Sequence, residues 1–530
     1  MSLDPWEVCL IKGLFYNVGL SQQEIIAYFS HPERTVHHNR ISEVTRGRGE
    51  GADPDLRAAS AEACQRFLAE WDGSYGQHRW AVFAASSEEL RRASGPFRFS
   101  IRFHPVGQGL FCSGEVSRFG GRPFRWVYDC GTEHGRTSDT RRSHVRREIT
   151  RLTDKLRLNG RATHLDLVTL SHFDEDHLSG FLDLVSTCTI GTLLLPHVLP
   201  WDRLLIALIE GADVGSDLLD FLLEPTAFLL ERAEGRIDRI LLVGSGGEGP
   251  ALPPVLPPDG SPPVDEETGR DPEIEAKSGK PEPENNEAGG EDEGLRDRRV
   301  RMLPRGGAIT FGRAWEFVPY NDGRLALAAT PPFKIAARAL AAKLKRSVPE
   351  NDREKALDDL IALFDRTFKT PKSGRISARR RNEISLFLYS GPVGRVELLE
   401  ADEYLMRHRL NDVRMPSPNY LVGGVRFGQM LTGDGYLKTQ RQWEEFRSFY
   451  ANYQRLHRSG ILQVMHHGAQ ENWRAGLAAK LSPLISIFSS NPAGRNGHPR
   501  PVVLADFKDR NPKQVDAFHG IRIVGIYRFI

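Results

Sequence analysis

The densest chemistry in this chain of 530 residues lies at Ser171-His172-Phe173-Asp174-Glu175-Asp176-His177-Leu178-Ser179-Gly180. His172, Asp174, Asp176 and His177 fall within six positions, directly after the apolar run Leu165-Asp166-Leu167-Val168-Thr169-Leu170. That run is short, apolar and β-branched and ends abruptly in polar residues, which predicts a buried strand. Leu178, Gly180, Phe181 and Leu184 then open a helical pattern. The cluster therefore sits in a strand-to-helix turn, where side chains of a tight loop converge on one point. Imidazole with carboxylate suits Zn²⁺, Mn²⁺ or Fe²⁺, and the excess of carboxylates leans toward harder ions. A helix start with Asp176 near its N-cap accounts for one or two acids. It does not account for two flanking histidines, so the cluster is read as a metal site.

One turn cannot aim enough ligands at an ion, and two later segments offer the rest. Met430-Leu431-Thr432-Gly433-Asp434-Gly435 is an apolar strand ending in a glycine-flanked carboxylate, and Ile461-Leu462-Gln463-Val464-Met465-His466-His467-Gly468 ends in paired histidines. Glycine after each lets the backbone turn and lets an ion or substrate approach closely. Three strand ends that carry acid and imidazole to one rim describe a metallohydrolase site.

Around these motifs, the length allows two to four domains with a substantial core. A formal net charge of +2 excludes global steering of polyanions, so any nucleic-acid contact must come from a local patch. Cys9, Cys64, Cys112, Cys130 and Cys188 are odd in number and lack CxxC spacing, so they suggest neither a disulfide framework nor a cysteine zinc site. No run of about 18 apolar residues occurs, and Asp4 and Glu7 stand where a secretory leader would be basic. These features predict a cytoplasmic protein without a membrane span.

Residues 1–75 read as helical. Pro5 to Tyr16 is amphipathic, and Ser21 with Glu24 forms a capping box before the apolar face of the next helix. His31-Pro32 breaks that helix, and Thr35 to Val44 offers another. With Arg34, His37, His38, Arg40, Arg46 and Arg48 on and after it, the pair reads either as a helix-turn-helix or as a helical cap with a solvated basic face. From Phe97 short strands alternate with helices, giving a layered α/β domain in two halves, 97–244 and 299–530. Between them, 245–298 is rich in Gly, Pro and acids and poor in large apolar residues, so it is expected to be disordered. A helical insertion is expected at 334–366. It precedes a basic run, Lys369, Lys372, Arg375, Arg379, Arg380 and Arg381, suited to a phosphate backbone.

Several segments, in order, resemble the metallo-β-lactamase fold superfamily, and more narrowly the hydrolase domain of DNA-uptake competence proteins and choline-binding phosphodiesterases. They are Val106-Gly107-Gln108-Gly109, Val127-Tyr128-Asp129-Cys130-Gly131, the cluster at 171–180, the LTGD ending at Asp434, His466-His467-Gly468, and Asn496-Gly497-His498-Pro499. The resemblance covers roughly 100–530 apart from the insertion and implies an αββα sandwich with its site at the shared edge of two sheets. It implies two divalent ions, Zn²⁺ or Mn²⁺. His172 and Asp174 would bind the first, Asp176, His177 and His466 the second, and Asp434 would bridge. His467 would face substrate, Asp129 would orient a ligand histidine, and His498 would bind phosphate or protonate a leaving group. Asp176, His467 and His498 are thus the catalytic candidates.

Two departures stand out. The commonest family motif has histidine in place of Asp174, although the competence-like branch often carries aspartate. No histidine matches the usual third motif; His197, after the strand Thr192–Leu195, is the one well-placed candidate. The expected activity is metal-dependent phosphodiester hydrolysis, most simply by a DNA or RNA nuclease, with bacterial anti-phage defence suggested by analogy alone. A small-molecule hydrolase of the same fold, acting on a nucleotide, a phosphocholine-type ester or a lactone, and a non-catalytic DNA-binding scaffold are the competing expectations. Nucleic acid is the expected partner and a protein partner is allowed.

Overall fold

In the computed structural model the described residues are 3, 5–29, 36–53, 56–70, 96–118, 122–133, 139–158, 163–244, 273–275, 297–303, 306–311, 314–321, 330–368, 385–394, 396–407, 412–415, 420–451, 454–492 and 497–529. They form a mixed α/β structure built on two large mixed sheets. In the first sheet, β1 (Phe97–Phe103), β2 (Phe111–Arg118) and β3 (Phe124–Cys130) run as an antiparallel meander. Four strands then add in parallel beyond β3: β4 (His164–Thr169), β5 (Thr189–Pro196), β6 (Ile237–Val243) and β8 (Val300–Leu303). On the other side of β1 lie β18 (His519–Phe529), β12 (Val396–Arg407) and β13 (Val413–Arg414).

The second sheet has an antiparallel half, β7 (Glu273–Glu275), β9 (Ala308–Phe311), β10 (Trp315–Asn321) and β11 (Leu386–Pro392). Its other half is parallel: β14 (Gly428–Leu431), β15 (Ser459–Gln463), β16 (Ile485–Ser489) and β17 (Pro512–Val515). Strands buried along their whole length read as unbroken apolar runs rather than alternating ones. β3, β10, β11 and β15 are buried along their whole length, although β3 carries Arg125 and Asp129 and β10 carries Glu316.

One core joins both sheets, with Phe99, Trp126, Trp315, Phe317, Phe427 and Tyr527 at its centre. A second covers the opposite face of the first sheet with helices Asp139–Leu158, Phe181–Thr187, Pro200–Glu210, Asp217–Leu223 and Pro225–Arg232. A third covers the opposite face of the second sheet with helices Gln440–Ala451, Leu477–Leu481 and Pro501–Asp506.

At the N-terminus, helices Pro5–Gly13, Gln22–Phe29, His38–Thr45 and Ala61–Glu70 share a separate core that includes Leu10, Ile25, Ile41 and Phe67. The capping box forms in both directions: Ser21 N–H donates to Glu24 Oε2 at 2.7 Å and Glu24 N–H to Ser21 Oγ at 3.3 Å. The expected turn at His31-Pro32, with Arg34, lies outside the described residues. His37, His38, Arg46 and Arg48 are exposed, while Arg40 pairs with Glu43 at 3.1 Å.

The helical insertion expected at 334–366 is a pair of helices, Pro331–Lys343 and Glu350–Phe368, which share a core with Trp201 through Phe333, Leu360 and Phe364. Pro349 lacks the amide that a continuous helix would need, which accounts for the break. Apart from β7, residues 245–296 lie outside the described residues, as does the basic run 369–381. All five cysteines are buried thiols. Among the described residues no helix is long and apolar enough to cross a membrane.

Candidate metal centre

The carboxyl ends of two parallel strand sets meet at one rim, the edge where open α/β sheets bind ligands. β3 delivers Asp129, and β4 leads into Ser171, His172, Asp174, Asp176 and His177. β14 leads to Asp434, β15 to His466 and His467, and the loop after β16 returns His498. A one-turn helix, Glu175–Leu178, takes the place of the regular helix start that the pattern at Leu178 suggests; the regular helix begins at Phe181.

Each of the four histidines nearest Asp434 is held through Nδ1. Asp129, at φ 53, a region aspartate tolerates better than most residues, accepts His177 Nδ1–H at 2.7 Å and the Ser171 hydroxyl at 2.7 Å on one oxygen. Its other oxygen accepts Ser171 N–H at 2.6 Å. With its proton given to Asp129, Ser171 Oγ accepts His172 Nδ1–H at 2.8 Å; Ser385 Oγ stands 3.3 Å from the same nitrogen. His466 Nδ1–H donates to Asn472 Oδ1 at 2.7 Å, and His467 Nδ1–H to the Ser489 carbonyl. Fixing Nδ1 in this way selects the tautomer whose Nε2 is free to ligate.

All four Nε2 atoms converge on Asp434, and they divide between its two oxygens. His177 (3.1 Å) and His467 (3.7 Å) face Oδ1; His466 (3.3 Å) and His172 (3.8 Å) face Oδ2. On the first side Asp176 Oδ2 lies 3.0 Å from His467 Nε2. On the second, Asp174 Oδ2 lies 3.8 Å from His172 Nε2. Ligand atoms of Asp176, His177, Asp434 and His467, and separately of His172, Asp174 and Asp176, lie within 4.8 Å of one another. It is His467, rather than His466, that groups with Asp176, His177 and Asp434, while His466 faces the same Asp434 oxygen as His172. His466 and His467 both have left-handed backbone (φ 46 and 57), which lets consecutive side chains straddle one carboxylate.

Asp434 itself is set by two contacts. Its N–H donates to Ser385 Oγ at 2.9 Å, and its carbonyl accepts Asn472 Nδ2–H at 2.7 Å. Gly433 before it has φ +48, and an added Cβ would lie 2.3 Å from Ser385 Oγ and 2.8 Å from Ser171 Oγ. Opposite, Gly109 of the VGQG turn packs on the Asp176 backbone: an added Cβ would be 2.7 Å from the Asp176 carbonyl, which accepts Leu110 N–H at 3.3 Å.

The charges of the site hold one another. Burial pushes His172 down to about 3, helped by neighbouring His177, so its imidazole is neutral with a bare Nε2. Burial alone would lower His177, but Asp129, Asp434 and Asp176 hold it well above the ordinary histidine value. His467 is likewise raised, against its burial, by Asp434 and Asp176. Burial would raise Asp434 and Asp176, yet their histidines pull both well below the carboxylate range. Asp129 is raised by its burial despite His177. Burial lowers His498 to about 4, with His467, His466 and Arg500 adding to the shift.

These residues fit a divalent cation. His172 Nε2 is buried without a hydrogen-bond partner among the described residues. Its 3.8 Å gaps to Asp174 and Asp434 are too wide for hydrogen bonds but within the span of two metal–ligand bonds of about 2.1 Å. Asp176 and His466, with side chains 20% and 25% exposed, form the open side of the cluster. His498, whose ring centroid is 5.9 Å from that of His466, lies beside this opening. His197 donates its backbone N–H to Val243 O and belongs to neither ligand group among the described residues.

Sequence reasoning gave no role to Ser171, Ser385 or Asn472. Ser171 could have been found from its place between the strand and the first histidine. Ser385 and Asn472 carry no local signal. No protein-family model matches the chain, and no curated protein does either.

Proposed function

We propose that this chain is a metal-dependent phosphodiesterase of the metallo-β-lactamase type, with its two sheets as the inner layers of an αββα sandwich and a polynucleotide as the preferred substrate. The observation that carries the reading is the division of four histidine Nε2 atoms between the two oxygens of Asp434. One ion would be held by Asp176, His177, His467 and Asp434, and a second by His172, Asp174, His466 and Asp434. His466 then supplies the third ligand for which the sequence offered only His197. Such ions, Zn²⁺ or Mn²⁺, bring a bound water's pKa toward neutrality and neutralise charge that develops on an attacked phosphate. The chain's residues do the rest. Asp129 and Ser171 keep the Nε2 lone pairs of His177 and His172 directed inward, and the wall formed by Gly109 and Leu110 keeps Asp176 at the opening. The exposed His37, His38, Arg46 and Arg48 add a basic surface suited to phosphate backbone.

The test is hydrolysis of single- and double-stranded DNA and RNA, and of bis(p-nitrophenyl) phosphate, by protein loaded with Mn²⁺ or Zn²⁺. Cleavage that a chelator abolishes and either ion restores is the expected result. No cleavage of any of these by protein with full metal content would sink the proposal.

A further inference from the structure

Helix Asp139–Leu158 carries seven lysines and arginines against three acids, in a chain whose net charge is only +2. It lies alongside the start of β18, and two contacts fix the alignment. His144 meets Phe518 edge to face, with ring centroids 6.3 Å apart. Two helical turns further on, Arg151 Nη2–H donates to Asp412 Oδ1 at 2.5 Å, and Asp412 Oδ2 lies 3.7 Å from Arg522 Nε of β18. Arg522 stacks on Tyr404 at 4.2 Å, and its cross-strand neighbour Arg102 adds a guanidinium to the same face. Glu148 is shared by Arg147 and Arg151, and Glu115 by Arg102 and Arg125. Among the described residues, five arginines therefore meet three carboxylates along this strip. Arg151 and Arg522 both reach solvent, with side chains 37% and 23% exposed.

The strip starts at the rim of the metal centre. Phe518 precedes β18, whose Ile521 pairs with Phe103 at the sheet edge where β3 ends in Cys130. Ala517 packs on the VGQG turn, 3.7 Å from an added Cβ on Gly107, and Gly109 of that turn packs on the Asp176 backbone. Phe518 is 58% exposed and yet fixed, because Asp516 Oδ1 accepts the N–H groups of Phe518 and His519 at 2.7 and 2.8 Å. Four residues separate Phe518 from Arg522, about 13 Å along an extended strand.

We propose that this strip is a track for single-stranded polynucleotide leading to the metal centre, with Phe518 stacking a base and Arg151 and Arg522 meeting phosphates further along the strand. The inference rests on the phosphodiesterase reading and deepens it by naming the substrate class. An aromatic ring beside a cationic groove is how single strands are held without regard to sequence. A duplex keeps its base faces stacked inside and offers Phe518 nothing to stack on.

The experiment uses the Mn²⁺-loaded full chain as wild type, Phe518→Ala, Phe518→Trp and Arg522→Gln, each checked for metal content and melting temperature. Binding is read by fluorescence anisotropy with a labelled, phosphorothioate-linked oligothymidylate that resists hydrolysis. Phe518→Ala is expected to weaken binding about tenfold, and Phe518→Trp to keep it. Arg522→Gln should weaken binding and lower the salt slope by about one. A duplex of the same length should bind more weakly than the single strand and ignore Phe518→Ala. Turnover of bis(p-nitrophenyl) phosphate, too small to reach the track, should be unchanged in all variants. Equal affinity in all variants, or an equal effect of Phe518→Ala on duplex and single strand, overturns the track. If the variants lose single-strand binding as expected but the wild type cleaves no phosphodiester, the track stands and the phosphodiesterase reading alone falls.

Discussion

Asp434 and Asp129 divide the work of the site between collecting and aiming. Asp434 collects four Nε2 atoms, whereas Asp129 touches none of them and acts through His177 Nδ1 and the Ser171 hydroxyl. Asp129→Asn, which cannot accept that N–H on the same terms, should keep the fold and weaken metal binding by about 10–100-fold in a competitive chelator titration. On the proposed function, Asp176→Ala or His177→Ala would remove a ligand outright; hydrolysis should then fall by roughly a thousandfold or more while circular dichroism stays native. At this scale the local motif already named side chains that gather into a group able to hold a metal ion. The opposite placement of His466 and His467 was not legible. Two adjacent histidines look alike in a sequence, and left-handed backbone at both is a property of the folded turn.

At the scale of elements, the strand ends matter more than the strands. Leu165–Leu170 was recognisable as a strand and corresponds to β4 within a residue at each end; the segments read as strands at Met430–Gly435 and Ile461–Gly468 are strand only as far as Leu431 in β14 and Gln463 in β15, and the backbone turns beyond them. Gly433 shows why the turns after them are demanding. Gly433→Ala combines left-handed strain with a 2.3 Å approach to Ser385 Oγ, so a loss of about 2 kcal/mol or more is expected, read as a lower melting temperature together with reduced metal content.

A second element-level device lies away from the site, where His104 at the end of β1 meets Glu148 of helix Asp139–Leu158 at 3.1 Å, both almost fully buried. His104 Nδ1–H donates to Glu148 while Nε2 accepts the Ser113 hydroxyl at 2.8 Å. Burial lowers the His104 pKa, and Glu148 is lowered as well, since His104, Arg151 and Arg147 outweigh its burial. Both folded values lie below the unfolded ones, so the unfolded chain takes up protons first as pH falls. Stability should therefore decline below about pH 6.5, as unfolded His104 protonates, and further as pH falls past the unfolded Glu148 value. His104→Gln should flatten the melting-temperature profile between pH 7 and pH 5 by roughly one proton. An unchanged slope would remove this pair as the cause.

For the whole molecule, one apolar core spans both sheets, so neither sheet can place its strand ends independently. Trp315, fully buried against Phe99, Trp126 and Tyr527, sits in that shared layer. Trp315→Ala should cost about 3–5 kcal/mol, and probes on the two sheets should still report one transition in denaturant. Two transitions would show that the sheets fold separately. The N-terminal helices keep a core of their own and touch the sheets at Asp53, which lies 3.5 Å from Arg118.

Local pattern alone determined the metal-capable side chains at 172–177, the strands that lead into the cluster and the reciprocal cap at Ser21 and Glu24. Each is set by residues within a few positions of one another. Tertiary structure decided which histidine faces which oxygen of Asp434 and that Ser385 and Asn472 hold the ring in place. Those outcomes depend on contacts between residues dozens to hundreds of positions apart, as from Ser171 to Leu386 and from His177 to Asp434, and no local periodicity encodes such pairs.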